Sequence, residues 1–127
     1  MSKLIFFVDD DKMILNLLEY TFHNRQDYVA KTFLSGEACI HSLDEDPDLI
    51  VLDHILSGSG DDSKMNGMET LKMIHKKRPD VPVIILTGHG DDELLSEFME
   101  NGASRFLTKD DYFIDSLIDT FNELLKN

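Results

Sequence analysis

Leu4-Ile5-Phe6-Phe7-Val8-Asp9-Asp10-Asp11 is an unbroken apolar run that ends abruptly in three carboxylates. An apolar run this short, rich in aromatic and β-branched residues, suits a strand buried on both faces. Further β-rich runs follow at Tyr28–Phe33, Leu49–Leu52, Val83–Leu86 and Arg105–Leu107, with the first taken as Leu4–Val8. The first, third and fourth are almost free of polar residues. Helical spacing lies between and after them: Ile14, Leu17, Leu18 and Thr21 recur at i, i+3, i+4 and i+7. Ile114, Leu117, Ile118 and Phe121 do the same, extending to Leu125. Asp11, Ser35, Asp91 or Asp92, and Asp110 or Asp111 are the expected N-caps. Lys76, Lys77 and Arg78 gather at a helix end before Pro79, and Asn101-Gly102 supplies a left-handed stop. Five strands alternating with five helices predict an α/β fold, a three-layer α/β/α sandwich around a parallel sheet.

The 127 residues carry 12 basic and 25 acidic side chains, a formal net charge of −13, and 42% of them are hydrophobic. That length suits one domain over 1–127 with a real core and leaves no room for an output domain, single domains being roughly 100–150 residues. The negative charge excludes binding to nucleic acid or a membrane surface by bulk electrostatics. A single cysteine, Cys39, excludes an internal disulfide and is expected to pack as a small hydrophobe. No apolar run approaches the roughly 20 residues of a membrane span. Met1-Ser2-Lys3-Leu4 runs straight into the first strand, so a soluble cytoplasmic protein is expected. Ser57–Lys64 is a polar loop by composition.

Open parallel sheets bind ligands beyond the carboxyl ends of their strands. Those ends are followed here by Asp9, Asp10 and Asp11, by Asp53, by Thr87 and Gly88, and by Thr108 and Lys109. Carboxylates held together resist joint ionisation, a conflict that a hard divalent cation removes. Mg²⁺ takes one or two carboxylates together with water and phosphate oxygens. A carboxylate beside the metal can also attack phosphorus to give an aspartyl phosphate. The charge on the phosphoryl oxygens then calls for the metal, a cation such as Lys109 and a hydroxyl such as that of Thr87.

Val8-Asp9-Asp10-Asp11, Leu52-Asp53, Leu86-Thr87-Gly88 and Phe106-Leu107-Thr108-Lys109, in that order and spacing, make the chain resemble from end to end a receiver domain of the two-component response regulators, the CheY-like superfamily. The resemblance implies a flavodoxin-like strand order, 2-1-3-4-5. It implies that Asp53 accepts a phosphoryl group from a histidine kinase or a histidine phosphotransfer protein. Asp10 would ligate Mg²⁺ (or Mn²⁺) directly, Asp9 directly or through water, and the Ile55 carbonyl would complete the protein ligands beside Asp53. Thr87 and Lys109 would hold the phosphoryl oxygens, and the rotamer of Phe106 would follow Thr87. The face made by helix 4, strand 5 and helix 5 would then change its affinity for a downstream protein. His89 stands where family members tune loss of the phosphoryl group. Chemistry in this reading is confined to the domain's own phosphorylation and dephosphorylation.

Two departures from the family pattern stand out. Asp110 follows Lys109 where a cis proline is usual; a cis bond without proline costs about 2.5–4 kcal/mol, so trans geometry is expected. Fourteen positions separate Asp53 from Gly67, more than the family spends, a change that costs little stability. Several residues also have plainer readings: Asp11 is a helix cap, Phe106 alone reads as a core aromatic, and Asp61 and Asp62 are solvated loop charges. His54 is a solvated histidine, and His23, His41 and His75 fall on helices without a role. Two other functions fit part of the pattern. Ile5-Phe6-Phe7-Val8-Asp9-Asp10-Asp11 also matches a haloacid dehalogenase-like phosphatase with Asp9 as nucleophile and Asp11 as acid, a reading that leaves Asp53 idle. A receiver that never takes phosphate and serves as an interaction module is the other.

Overall fold

The computed structural model describes residues 2–53, 65–88 and 92–125. Along the chain run β1 (Lys3–Val8), α1 (Lys12–His23), β2 (Tyr28–Phe33), α2 (Gly36–His41), a 3-10 turn (Leu43–Glu45), β3 (Leu49–Asp53), α3 (Gly67–Lys77), β4 (Val83–Thr87), α4 (Asp92–Glu100), β5 (Arg105–Thr108) and α5 (Phe113–Leu124). The five strands are all parallel and lie in the order β2-β1-β3-β4-β5. This is the expected flavodoxin-like sandwich.

Strand periodicity of two divides the core. Phe6, Val8, Ile50, Leu52, Val83 and Ile85 meet α2, α3 and α4 through Cys39, Leu71, Ile74 and Phe98. Ile5, Phe7, Leu49, Val51, Ile84 and Leu86 point the other way, onto Leu15, Leu18 and Phe22 of α1 and Phe113, Leu117 and Phe121 of α5. Every residue of β3 and β4 is buried, as two-faced coverage requires. The same parity fixes the site: Asp9 and Asp53 continue the Phe7 and Val51 series, on the α1/α5 side. Val8 is paired with Leu52 and Asp53 with Leu86, so Asp9, Asp53 and Thr87 reach one edge of the sheet together.

Caps account for most helix starts. Asp11 accepts from the Met13 amide and Ser35 from that of Ala38, as expected. Asn66 and Glu69 close a reciprocal capping box at α3. Asp110 and Asp111 do not cap α5. Its N-cap is Tyr112, which has no side-chain cap bond, while Asp110 Oδ1 accepts from the Tyr112 amide at 2.9 Å, one residue before the helix. The α1 stripe is also shifted. Leu15, Leu18 and Phe22 are buried, whereas Leu17 is exposed and Ile14 only packs at the margin. Leucines at 15, 17 and 18 permit two overlapping stripes, and contact with β1 selects the one ending in Phe22. Phe106 is not a core aromatic. It lies on the edge strand β5 and is 44% exposed.

Cys39 is completely buried, and loss of solvent pushes its thiol up to about 12. Thiolate is the reactive form. At pH 8 the folded protein should therefore react with Ellman's reagent at least about a hundredfold more slowly than the protein in denaturant, because reaction waits for opening. Equal rates would show that the α2 side of the core is open.

Candidate functional site

Lys109 ties the carboxyl edge of the sheet together. Its Nζ donates to Asp9 Oδ2 at 2.9 Å and lies 3.2 Å from Asp53 Oδ1. Its backbone amide donates to the Thr87 carbonyl at 2.8 Å. Asp9 and Asp53 are buried and Asp10 is exposed, yet one carboxylate oxygen from each falls within 4.8 Å of the others. Asp9 is held from behind as well, with its amide on the Phe33 carbonyl at 3.1 Å and its Oδ1 accepting from the Asp11 amide at 2.9 Å. Asp11 is thus a cap and a support for Asp9.

Like charge is concentrated here and only partly relieved. Partial burial, then the neighbouring Asp9 carboxylate, raise the Asp10 carboxyl above its ordinary value. Desolvation is the largest single influence on Lys109 and acts to lower it. The hydrogen bonds and charges of Asp9 and Asp53 together outweigh that influence, and the ammonium ends up raised. The group of Asp9, Asp10 and Asp53 offers hard oxygen donors and no sulfur or nitrogen, which suits Mg²⁺ or Mn²⁺ rather than a softer ion.

The structure gathers Asp9, Asp10, Asp53 and Lys109 at one point, with Thr87 buried at the end of β4, opposite Thr108. Phe106 stands outside the site. Ile55, His54, His89, Asp61 and Asp62 lie outside the described residues. No cis peptide occurs among the described residues, so the bond after Lys109 is trans as expected. Asp110 takes over the turn there: its amide donates to the Thr108 carbonyl at 2.9 Å and its side chain closes on Tyr112. Tyr112 is a feature that the sequence reading passed over. It stands 72% exposed in the loop after Lys109, and its place three residues beyond that lysine was the available signal.

The sequence profile of the response regulator receiver domain matches residues 5–119. The chain belongs to the response regulator receiver domain family. It is 34% identical over 112 residues to the alkaline phosphatase synthesis transcriptional regulatory protein PhoP of Bacillus subtilis, covering 86% of this chain and 43% of that protein. It is 30% identical over 122 residues to the C4-dicarboxylate transport transcriptional regulatory protein DctD of Pseudomonas aeruginosa, covering 96% of this chain and 25% of the other. Among solved structures, the BeF3-activated DrrB receiver domain, DrrB being a Thermotoga maritima protein, superposes with a TM-score of 0.84 at 32% identity over the whole of both chains. The chain spans less than half the length of the curated relatives it matches. The match is to the receiver domain throughout, which leaves the dehalogenase-like phosphatase reading without support. Among the described residues no helix is long and apolar enough to cross a membrane.

Proposed function

We propose that this receiver domain is a phosphorylation-dependent switch, in the cytoplasm, whose phosphoacceptor is Asp53. The observation that carries the reading is the buried Asp53 carboxylate with an ammonium at 3.2 Å and two further carboxylates close enough to share a cation with it. An Asp53 oxygen attacks the phosphorus of a phosphohistidine on a kinase or phosphotransfer protein. The P–O bond forms as the P–N bond breaks, and its electron pair returns to the ring nitrogen. Asp9, Asp10 and Asp53, with the Ile55 carbonyl that the family resemblance adds, would hold Mg²⁺ or Mn²⁺. When bound, the cation neutralises carboxylate and phosphoryl charge.

Lys109 moves its ammonium from Asp53 to a phosphoryl oxygen, and the Thr87 hydroxyl donates to another. Movement of Thr87 leaves room that Phe106, now outside, can fill by turning inward. The result is a two-state shift of the α4–β5–α5 face toward a downstream protein. His89 is assigned to tuning the lifetime of the acyl phosphate.

With Mg²⁺ and acetyl phosphate, intact mass should show one added phosphoryl group, absent in Asp53→Asn. An adduct that persists in Asp53→Asn overturns the assignment. No adduct, together with failure to bind beryllium fluoride, makes the chain an unphosphorylated interaction module.

A further inference from the structure

Between α4 and the edge strand β5 lies a shallow hollow lined by Leu95, Met99 and Phe106, with Ser96 and Glu100 on its rim. Met99 and Phe106 are exposed apolar groups on a surface otherwise ruled by one sign of charge. Residues 92–125 carry nine acidic side chains against two cations, Arg105 and Lys109. Lys109 is committed to Asp9 and Asp53. On α4, Glu100 borders the hollow, and Glu97 shares a neighbouring groove with Ser96 and Glu100. On α5, Glu123 reaches Arg105 at 3.5 Å, and Asp119 and Asp115 continue its row at successive turns. Among the described residues, the one exposed cation on this face is thus already partnered.

We propose that this hollow docks a segment of a different protein that inserts one apolar side chain between lysines or arginines, and that it does not pair with a second copy of this chain. Resting on the reading of the α4–β5–α5 face as the output surface, this names the chemistry of the partner. The apolar floor supplies an anchor pocket, and the acidic frame supplies sign selectivity and long-range steering. A two-fold contact between copies repeats the same patch on both sides. It would bring the acidic set of Glu97, Glu100, Asp119 and Glu123 on one copy against the same set on the other, with Arg105 the one exposed cation per copy on this face among the described residues. Like charges opposed in that way select against the wrong partner.

The probe is a short peptide in which leucine and phenylalanine alternate with lysine and arginine. Two controls accompany it, one with glutamate for every cation and one with the same cations but serine for every apolar residue. Binding is followed by fluorescence anisotropy and by NMR shifts on the full chain, with and without beryllium fluoride. The expected result is binding of the first peptide alone, with shifts centred on Leu95, Met99 and Phe106. Affinity should fall about tenfold in Met99→Lys and in Glu100→Lys and stay unchanged in Asp44→Lys, on the opposite side. Sedimentation should show a monomer throughout.

The proposal is overturned by shifts elsewhere, by equal binding of the serine control, by absence of binding, or by a dimer that Met99→Lys disrupts. Failure of the Asp53 assignment has a different signature. Binding at the hollow would then persist and be indifferent to beryllium fluoride.

Discussion

Lys109→Ala is expected to divide the site's two tasks. Phosphorylation of Asp53 from acetyl phosphate should fall about 10²–10³-fold, the usual cost of removing a positioned donor to a developing oxyanion. Mg²⁺ affinity should move the other way, rising about tenfold. The lysine ammonium sits 2.9 Å from Asp9 and 3.2 Å from Asp53, on the carboxylates that a metal would use. Removing it raises the negative potential there by an amount of order 1.4 kcal/mol for one added cation. The metal-free variant also takes the Lys109 ammonium away from two buried carboxylates. It should lose about 1–2 kcal/mol of stability at neutral pH, restored when Mg²⁺ binds.

Alkaline titration supplies the sign. The folded-state value of Lys109 is raised above 10.5, so its contribution is fully present below 10.5 and is lost as pH climbs through the folded value. That alkaline loss should be missing in Lys109→Ala. Metal titration by intrinsic or competitive fluorescence and denaturant melts at several pH values measure all of these. A variant with weaker Mg²⁺ binding would show that the ammonium aids the metal rather than competing with it.

Gly36→Ala should cost about 1–3 kcal/mol, despite alanine's better helix propensity. A Cβ at Gly36 would stand 2.0 Å from Thr70 Oγ1 and 3.1 Å from both Thr70 Cβ and Cγ2. Rotation of Thr70 gives little relief, since its Oγ1 is hydrogen-bonded to the Asn66 carbonyl at 2.8 Å and its methyl would take the vacated place. Thr70→Ala in the same chain should recover most of the loss, a coupling of about 1–2 kcal/mol in a double-mutant cycle. Additive effects would mean that α2 and α3 can separate freely at this point. Ellman reactivity of Cys39, on the same helix, should rise in the single variant and fall back in the double.

The fold could be read because β1, β3 and β4 are covered on both faces and therefore spell themselves as apolar runs. The site could be read because Asp53 and Thr87 end their strands, Asp9 and Lys109 directly follow theirs, and parallel strands end at one edge. Where the reading failed, two local solutions competed. In α1, the crowd of leucines allowed a stripe through Leu17 that only the sheet could reject. In β5, Phe106 looked like core, but an edge strand with no neighbour beyond it leaves Phe106 half outside, while Leu107 packs against the α1/α5 side. Asp110 was a reasonable cap by type and acts instead on an amide one residue before the helix. The Asn66–Glu69 box could have been read from its spacing alone. What no spacing could supply was that one ammonium would span Asp9 and Asp53, since that depends on how the chain turns after Thr108.

Lys109 has its main-chain N–H on the Thr87 carbonyl and its side chain on Asp9 and Asp53. A single residue therefore laces the ends of three other strands to its own. Its amide proton consequently serves as a built-in clock: deuterium uptake at that one position would report how firmly the edge is laced, in any state of the site, with no label added to the protein.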